Sequence, residues 1–435
     1  MALKFNRILG SLSLINKKFY SKKALVLTYS DYGEPIKVIS QVEEVIKTPT
    51  KNDVVLKMIA SPVNPADINT IQGKYPVKPT LPAVAGNEGV GEVVEIGDSV
   101  QGLSPGDRVL PVKSGLGIWR TIGVFSKDDL IKVPKDLGKA EAATLTVNPC
   151  TAYRMIKDFA DLKANDTVIQ NGANSACGQN VIQICNALGF KTVNVVRNRP
   201  EIDDLKKHLS DLGADFVLTE EEIRTTDIFK SGKVKKPMLA LNCVGGKSAL
   251  EIMRQLGHSG AMVTYGGMSR DPVTIPTSAL IFKNIKAYGF WMTQWSKDNE
   301  SSPMRKEMFD ALIEMILTHK LRAPAHQFIK FSNYKEALLN TLRCVFCALC
   351  TDRTSCTCSP PVRGYPANLP FHRHLYLSHQ CQGSICSTVA APASCNILPV
   401  ETICKFPDKE EMMDCNSLCI ASWGRNGCRS PCSSF

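Results

Sequence analysis

The chain of 435 residues is 44% hydrophobic and carries a formal net charge of +11 at pH 7. A chain of this length and apolar content can bury a large core spread over two or three domains, which excludes disorder along its whole length. Because no run approaches roughly eighteen consecutive apolar residues, we expect no membrane-spanning helix. Beyond residues 1–23 the positive charges are neither clustered nor interleaved with aromatic side chains, so no nucleic-acid partner is expected.

Residues 1–23 have the composition of a mitochondrial presequence. They contain six lysines and arginines together with serines and apolar residues at near-helical spacing, and no acidic residue precedes Asp31. This combination is typical of a transit peptide, whereas a secretory signal would need a compact apolar core. The alternative interpretation is a disordered basic tail. We predict a soluble protein of the mitochondrial matrix whose first strand begins near residue 24.

Residues 24–149 carry short β-type runs, such as 53–58 and 91–96, between glycine- and proline-containing turns. This pattern of short runs between turns predicts a small, mostly antiparallel β domain. We expect no long helix in this part of the chain.

From residue 167 onward, strands alternate with helices. The helix after the first strand has apolar residues at helical spacing from Val181 to Leu188, and Gly189 stands where a glycine would end it. The alternation predicts an α/β domain with a doubly wound parallel sheet, a Rossmann fold, over residues 150–290. Its predicted strands are 167–170, 192–196, 215–218, 239–244, 261–265 and 285–290.

The turn between the first of these strands and its helix is a degenerate glycine-rich loop, residues 171–178. In a Rossmann fold, Gly172 and Gly178 would let the backbone approach a phosphate, which the free amides at the helix start would bind. Alone the motif is weak, because glycine loops recur in unrelated turns. The cofactor contacts predicted in this loop are Asn174, Ser175, Ala176 and Cys177.

The second predicted strand of this domain ends in Arg197, Asn198 and Arg199. A site for NADH usually has an acidic residue about twenty residues beyond the loop, whereas arginines suit the 2′-phosphate of NADPH. We therefore predict NADPH as the cofactor. The alternative is that these arginines are simply solvated.

Paired glycines follow two later strands, at the edge where open α/β sheets bind ligands. One pair is Gly245 and Gly246. The alternative for either pair is an ordinary tight turn. The other pair lies in a run predicted to contact a flat nicotinamide ring, Tyr265, Gly266, Gly267 and Met268.

Between residues 24 and 343 the chain resembles the zinc-free, quinone oxidoreductase-like medium-chain dehydrogenase/reductases, and within them the branch that reduces trans-2-enoyl-CoA thioesters. The resemblance implies a GroES-like catalytic domain formed by residues 24–149 and 291–343, joined to the Rossmann domain. It rests on the strings PVNPADIN at 62–69, IQGKY at 71–75, GNEGV at 86–90, VNPCTAY at 147–153, LNCVGG at 241–246, GFW at 289–291 and QW at 294–295.

By that resemblance Tyr75 is the proton donor and Trp291 a second catalytic residue. Reduction of a conjugated thioester leaves an α-carbon that must receive a proton, and a phenol can supply it. Asn148 is a cofactor contact by resemblance, or else an N-cap before Pro149 at the first helical position. The segment expected to close over the nicotinamide and acyl chain, or alternatively to fill the core, is Phe290, Trp291 and Met292.

No metal site is expected. Metal-dependent members of the same superfamily carry Gly-His-Glu and an upstream ligand cysteine, together with four close cysteines for a structural zinc. Here Asn87 replaces the histidine, and no cysteine precedes Cys150. These departures favour a double-bond reductase over an alcohol dehydrogenase.

Residues 344–435 form an atypical tail that contains thirteen of the seventeen cysteines. The helical periodicity before it stops at Cys344, where the family continues into a strand containing Lys-Pro. Zinc binding by these thiols and three nearby histidines is one interpretation, although the paired spacing of a zinc ribbon is missing. An odd number of thiols disfavours a disulfide framework. We expect a disordered segment foreign to the family, from an aberrant splice product or an intron-derived reading frame.

The sequence therefore predicts an NADPH-dependent reductase of trans-2-enoyl thioesters in mitochondrial fatty-acid synthesis, a homodimer whose substrate is carried on coenzyme A or acyl carrier protein. One alternative is a quinone or enone reductase on the same scaffold. The other is a nucleotide-binding variant whose catalysis is impaired by the altered carboxyl terminus.

Overall fold

The computed structural model describes residues 22–347 and 401–405, and for residues 343–347 and 401–405 it describes the backbone alone. The elements of the first domain are β1 (Lys23–Tyr29), α1 (Pro35–Val38), β2 (Ser40–Val45), β3 (Asp53–Val63), α2 (Pro65–Ile71), β4 (Ala83–Val84), β5 (Val90–Ile96), β6 (Arg108–Pro111), β7 (Ile122–Ser126), β8 (Leu130–Val133) and α3 (Lys139–Ala143).

The Rossmann part follows. Its elements are α4 (Asn148–Asp158), β9 (Thr167–Asn171), α5 (Ala176–Leu188), β10 (Lys191–Val196), α6 (Ile202–Asp211), β11 (Phe216–Thr219), α7 (Glu222–Thr225), β12 (Leu239–Asn242), α8 (Gly246–Gln255), β13 (Ala261–Thr264), α9 (Thr277–Lys283) and β14 (Lys286–Gly289). The remaining described elements are α10 (Met292–Asp298), α11 (Pro303–Leu317), β15 (His326–Lys330), α12 (Tyr334–Cys347) and β16 (Glu401–Lys405).

The first domain is built on two antiparallel arrangements, as the β-type runs predicted. A large sheet has the order β15-β16-β3-β5-β6-β8, with β7 also paired to β3, and a small sheet has the order β2-β1-β4. The long strand β3 is the centre of this domain, since it pairs with β5, β7 and β16. Trp119 is 1% exposed, and its indole N–H donates to the carbonyl of Pro62 at 3.2 Å. The carboxyl end of β3 is thereby fixed where it leads into the site.

The second sheet confirms the predicted Rossmann fold. Its six parallel strands have the order β11-β10-β9-β12-β13-β14. Successive strands are therefore added in one direction from β9 to β11 and in the opposite direction from β12 to β14, and the strand order reverses between β9 and β12. Helix α5 buries Val181, Ile184 and Cys185 against this sheet, and it ends at Gly189, whose φ of 77° is left-handed. The polar crevice of such a sheet lies at the reversal, outside the carboxyl ends of β9 and β12.

Residues 401–405 of the predicted tail form a strand that pairs with the catalytic sheet. Helix α12 continues to Cys347, past the expected break at Cys344. Strand β16 pairs in parallel with β15 and antiparallel with the last residues of β3, Ala60–Val63. Without β16, the backbone N–H and C=O groups of β3 and β15 that face it would lack hydrogen-bond partners. Backbone pairing, and not the side-chain composition of residues 401–405, therefore holds this strand in the sheet.

The predicted cysteine and histidine cluster at 344–379 and residues 1–21 of the predicted presequence lie outside the described residues, apart from the backbone up to Cys347. In the part of the chain that the structure describes, no helix is both long and apolar enough to cross a membrane.

Candidate active site

The structure brings together the two residues predicted to be catalytic. Tyr75 follows α2, and Trp291 is the N-cap residue of α10 immediately after the Rossmann sheet. The indole N–H of Trp291 donates to the Tyr75 hydroxyl oxygen at 2.7 Å, and the two rings meet edge-on with centroids 5.8 Å apart. A bond between residues 216 positions apart in the chain joins the β domain to the segment that leaves the Rossmann sheet.

A cavity of about 320 Å³ adjoins Tyr75 within the β domain. Ligand sites in proteins commonly have volumes from roughly 300 Å³ upward, with apolar walls and a few polar groups. The volume of this cavity lies in that range, and its lining combines aliphatic side chains with several polar ones, Arg120 among them. The lining residues that matter below are Ile71, Val77, Ala85, Leu116, Asp67 and Asn87.

Asp67 and Asn87 connect the cavity to a buried polar network that the sequence did not single out. The Asn87 side-chain amide donates to one Asp67 oxygen at 2.8 Å, and the Asn64 backbone N–H donates to the other at 2.8 Å. The Asn64 side-chain amide in turn donates to Glu88 at 2.8 Å. These residues lie in the strings at 62–69 and 86–90, but the sequence has no signal that shows the two strings meeting.

The same network reaches the start of α4. The other oxygen of Glu88 accepts from the Thr146 hydroxyl at 3.0 Å and from the Val147 N–H at 2.8 Å. The Asn148 amide donates to the Asn64 side-chain oxygen at 3.4 Å. Asn148 is the first residue of the helix and Val147 is the N-cap, so the alternative reading of Asn148 as an N-cap is wrong by one position. The Glu88 carboxylate instead accepts from the N–H of the N-cap residue, Val147.

Burial changes the acid–base character of both carboxyl groups. Loss of solvation raises the pKa of Glu88 from 4.5 to about 7, against hydrogen bonds from Asn64, Val147 and Thr146 that act in the opposite direction. The nearby Asp67 adds to the rise. Desolvation likewise raises the pKa of Asp67 from 3.8 to about 6. Two carboxyl groups that favour their neutral forms when buried therefore lie directly behind the cavity.

The loop between β9 and α5 has the geometry of an anion-binding helix start. Ser175 is the N-cap of α5, and its side chain accepts from the Gly178 N–H at 3.1 Å. Gly172 has a φ of +60°, and a Cβ at Gly178 would lie 2.6 Å from the carbonyl oxygen of Ala173. Both glycines are thus required by the turn. Among the predicted contacts in this loop, three are half-buried and the last is buried: Asn174, Ser175, Ala176 and Cys177.

The predicted phosphate-binding residues stand at the end of β10, beside this loop. Arg197 and Asn198 are exposed, and Arg199 is half-buried. The Arg199 Nε–H donates to the Arg197 carbonyl oxygen at 3.4 Å. Because β10 neighbours β9 in the sheet, the arginines lie on the same edge as the glycine-rich loop.

The run from Tyr265 to Met268 directly follows β13 at the carboxyl edge of the Rossmann sheet. The Met268 N–H donates to the carbonyl of Cys243 at 3.0 Å, which ties the run to the end of β12. The Tyr265 hydroxyl is buried beside the thiols of Cys177 and Cys243, and burial raises its pKa well above the usual value. A Cβ placed on Gly267 would meet nothing within 4 Å, so this glycine borders open space.

Of the predicted closing segment, only Trp291 points toward Tyr75. Phe290 packs edge-on against Phe159 with ring centroids 5.8 Å apart, and Met292 is 8% exposed within the main core cluster. These two side chains therefore have the core-packing environment that was the alternative interpretation, and a cofactor role for them stays a prediction.

Two family models match the chain. A model of the alcohol dehydrogenase GroES-like domain matches residues 50–135, and a model described as zinc-binding dehydrogenase matches residues 176–314. Together with the two sheets, they place the chain among the medium-chain dehydrogenase/reductases. Within residues 22–342, no group of three or more histidine, cysteine, aspartate or glutamate side chains could hold a metal ion. Asn87, at the position of the ligand histidine in metal-dependent members, is occupied by its bonds to Asp67 and to the Gly115 N–H.

Within that class, the chain belongs to the family of mitochondrial enoyl-[acyl-carrier-protein] reductases, which confirms the resemblance seen in the sequence. It is 53% identical to the Rattus norvegicus member over 315 residues and 50% identical to the Homo sapiens member over 313 residues, in each case 72% of this chain and 84% of the relative. The solved complex of Etr1p with NADP and crotonyl-CoA has a TM-score of 0.70 and 36% identity over 74% of this chain and 98% of that chain. The putative NADPH:quinone reductase from Bacillus thuringiensis has a TM-score of 0.65 and 26% identity over 74% of this chain and 96% of that chain.

Proposed function

We propose that the protein reduces the carbon–carbon double bond of trans-2-enoyl thioesters with NADPH in mitochondria. The observation that carries this proposal is the 2.7 Å hydrogen bond from Trp291 to the Tyr75 hydroxyl at the edge of the cavity. Membership in the enoyl-[acyl-carrier-protein] reductases gives the reaction class, and the mitochondrial relatives together with the composition of residues 1–23 give the compartment.

The crevice of the Rossmann sheet fits NADPH. Gly172 and Gly178 leave a turn that side chains cannot enter, and the positive end of the α5 dipole at this turn suits a pyrophosphate. Arg197 and Arg199, on the same edge, suit the 2′-phosphate. When bound, NADPH supplies the hydride that reduces the β-carbon of the substrate. The remaining chemistry belongs to the protein.

Tyr75 is placed to give a proton to the α-carbon. Because the Trp291 N–H occupies one acceptor position on the phenol oxygen, the hydroxyl hydrogen of Tyr75 is not needed for that bond and is available to the substrate. The same N–H stabilises the negative charge that the oxygen acquires when the proton leaves. Trp291 therefore both holds Tyr75 in place and assists the transfer.

The cavity next to Tyr75 suits the acyl chain of the substrate. Ile71, Val77 and Leu116 are the aliphatic residues of its mixed lining that suit an acyl chain, and the phenol of Tyr75 lies on its boundary. The solved complex of Etr1p holds crotonyl-CoA, a short enoyl thioester. Coenzyme A and acyl carrier protein are both acidic carriers, which the positive charge of this chain favours.

The altered carboxyl terminus does not argue for an inactive variant. Strand β16 occupies the place between β15 and β3, so the sheet that leads into the site is continuous. Its residue Thr402 pairs with Val63, which immediately precedes Asn64 of the buried network. We propose that the chain is active because this strand supports the site from behind.

We also propose that the protein is a homodimer formed along β14. This strand ends the Rossmann sheet, and among the described residues nothing pairs with its outer edge. A second copy of the same strand would extend the sheet with two-fold symmetry. The solved Candida tropicalis structure of mitochondrial 2-enoyl thioester reductases is an Etr1p/Etr2p heterodimer. Four large apolar side chains near this edge are exposed: Leu280, Ile281, Phe282 and Tyr288.

The function is tested by the turnover of trans-2-enoyl-CoA with NADPH in wild-type protein and in Tyr75→Phe. Removal of a general acid costs roughly a hundredfold or more, so we expect at least that loss with unchanged NADPH affinity. Tyr32→Phe is the matched control, because this phenol of the same domain bonds to the Pro79 carbonyl away from Trp291. Near-normal turnover by Tyr75→Phe would remove Tyr75 from its role, and preferential reduction of quinones by wild-type protein would favour the quinone reductase alternative.

A further inference from the structure

Helix α10 carries Trp291 at its start, yet it has little of its own to fix its position. It has seven residues, and an isolated helix of that length is unstable in water. Met292 is its single buried residue. The position of α10, and with it the direction of the Trp291 indole, must therefore depend on contacts from other elements.

The strongest such contact comes from Arg154 in the middle of α4. Its guanidinium carbon lies 4.7 Å from the ring centroid of Trp295, one helical turn after Trp291. The Arg154 Nε–H donates to Asp158 at 2.9 Å, and a second guanidinium nitrogen forms an ion pair with the other Asp158 oxygen. The guanidinium thus has a carboxylate at its edge and an indole against its face.

Burial of the Arg154 guanidinium costs solvation free energy, which the ion pair with Asp158 alone does not explain. Arg154 is 5% exposed, whereas Asp158, its ion-pair partner four residues along the helix, is 22% exposed at its side chain. An ion pair at this spacing forms equally well on a helix surface, without loss of solvation. Burial adds contacts of the cation with two rings, Tyr153 of α4 itself at 5.9 Å and the nearer Trp295 of α10 at 4.7 Å, and such contacts are strongest when desolvated.

We propose that Arg154 is a positioning residue for the proton donor, acting through Trp295 and Trp291 on Tyr75. The backbone N–H of Trp295 donates to the backbone carbonyl of Trp291 at 3.0 Å. A fixed position of Trp295 therefore also fixes the backbone from which the Trp291 indole extends. That indole holds the Tyr75 hydroxyl. The inference rests on the proposed function, since it concerns the same proton transfer.

The experiment is a double-mutant cycle on kcat with Arg154→Lys and Trp291→Phe. Lysine keeps the charge but loses the planar group that stacks and binds two carboxylate oxygens. We expect Arg154→Lys to lower kcat roughly fivefold to tenfold, the rate equivalent of about one hydrogen bond, with unchanged NADPH affinity. In the Trp291→Phe background the same change should lower kcat less than about twofold, because the two residues act in series.

Lys157→Met is the matched control, since Lys157 lies on the same helix with its ammonium 5.9 Å from the Tyr153 ring centroid, and its substitution should leave kcat unchanged. Equal factors for Arg154→Lys in both backgrounds would show a merely structural role and overturn the proposal. An unchanged kcat would also overturn it. If Arg154→Lys fails to fold, Trp295→Leu removes the same contact while keeping the ion pair with Asp158, and the same cycle applies.

A second measurement separates this proposal from the proposed function. In protein labelled at tyrosine Cζ with ¹³C, the Tyr75 resonance is assigned by its loss in Tyr75→Phe. It should move in Arg154→Lys and in Trp291→Phe, with no further movement in the double variant. A resonance unmoved by Arg154→Lys would overturn the positioning role even if enoyl thioesters are reduced. Absence of any enoyl thioester turnover in wild-type protein, with the expected resonance changes, would overturn the proposed function alone.

Discussion

Replacement of Glu88 by glutamine should make the stability of the protein less dependent on pH. Glu88 is 1% exposed, and burial raises its pKa from 4.5 to about 7. The folded state therefore holds this proton more tightly than the unfolded chain. The resulting stabilisation is fully present below the unfolded value and is lost as the pH rises through the folded value of about 7.

The magnitude follows from the size of the rise. One pKa unit corresponds to about 1.36 kcal/mol, so the rise gives a pH-dependent contribution of about 3 kcal/mol. Glutamine has the same shape and no charge. Its oxygen can accept from Thr146 and Val147 as Glu88 does, whereas its amide would face the Asn64 amide, whose oxygen is engaged by Asn148, so the variant loses this one bond. That loss is the same at every pH and leaves the pH dependence to the carboxyl group.

The assay is urea unfolding of wild-type protein and Glu88→Gln between about pH 5 and pH 8. The free energy of unfolding of the variant, relative to wild type, should rise by about 2.5 kcal/mol across this range, because only the wild type must ionise a buried carboxyl and the unfolded chain is already largely ionised at pH 5. Asp67 is present in both proteins, so its own titration cancels except for its Coulombic coupling to Glu88, which is part of the rise in the Glu88 pKa. Glu92→Gln, at a partly exposed position in strand β5 that follows Glu88, controls for the loss of one carboxylate. A constant difference between pH 5 and pH 8 would refute the argument from burial.

Three further outcomes are expected. Substitution of both Arg197 and Arg199 by alanine should weaken NADPH binding at least tenfold and leave NADH unchanged, and an unaltered preference measured by cofactor titration would contradict their assignment to the 2′-phosphate. Phe282→Glu, at a side chain that is 75% exposed, should give a monomer in sedimentation analysis, whereas a persisting dimer would exclude this edge. A chain ended after Val400 should lose β16, lowering the unfolding temperature and the turnover, and an unaffected enzyme would show that the strand does not support the site.

The Rossmann half could be predicted from the sequence because its signals are local. Most strands are short apolar runs, and the helix from Val181 to Leu188 has apolar residues at helical spacing and ends at a left-handed Gly189. The glycine-rich loop follows the first strand directly, so its place at the sheet edge comes with the fold. The fold class needed no knowledge of contacts between distant residues.

The strand β16 could not be predicted for the opposite reason. Its five residues have no pattern strong enough to stand out from the cysteine- and proline-rich residues around them. What selects them is the unfilled place between β15 and β3, which exists only after the rest of the sheet has formed. Backbone pairing of this kind is indifferent to much of the side-chain sequence.

The buried network shows the same limit within the site. The string VNPCTAY at 147–153 marks the family in the sequence, but the structure shows what its beginning does. The N–H of Val147 and the side chain of Asn148 are tied through Glu88 and Asn64 to the β domain. These hydrogen bonds join residues that are far apart in the chain, so no local sequence pattern predicts them.

The same helix also explains how one element can organise both sides of the reaction site. Its first residue, Asn148, joins the network behind the cavity, and two turns later Arg154 supports the helix that presents Trp291. A rigid α4 thereby sets the spacing between the predicted cofactor contact at Asn148 and the donor group at Tyr75. Substitution of α4 residues that contact neither substrate nor cofactor should therefore lower kcat more than it weakens binding. Arg154→Lys tests this expectation, because kcat and NADPH affinity are measured separately.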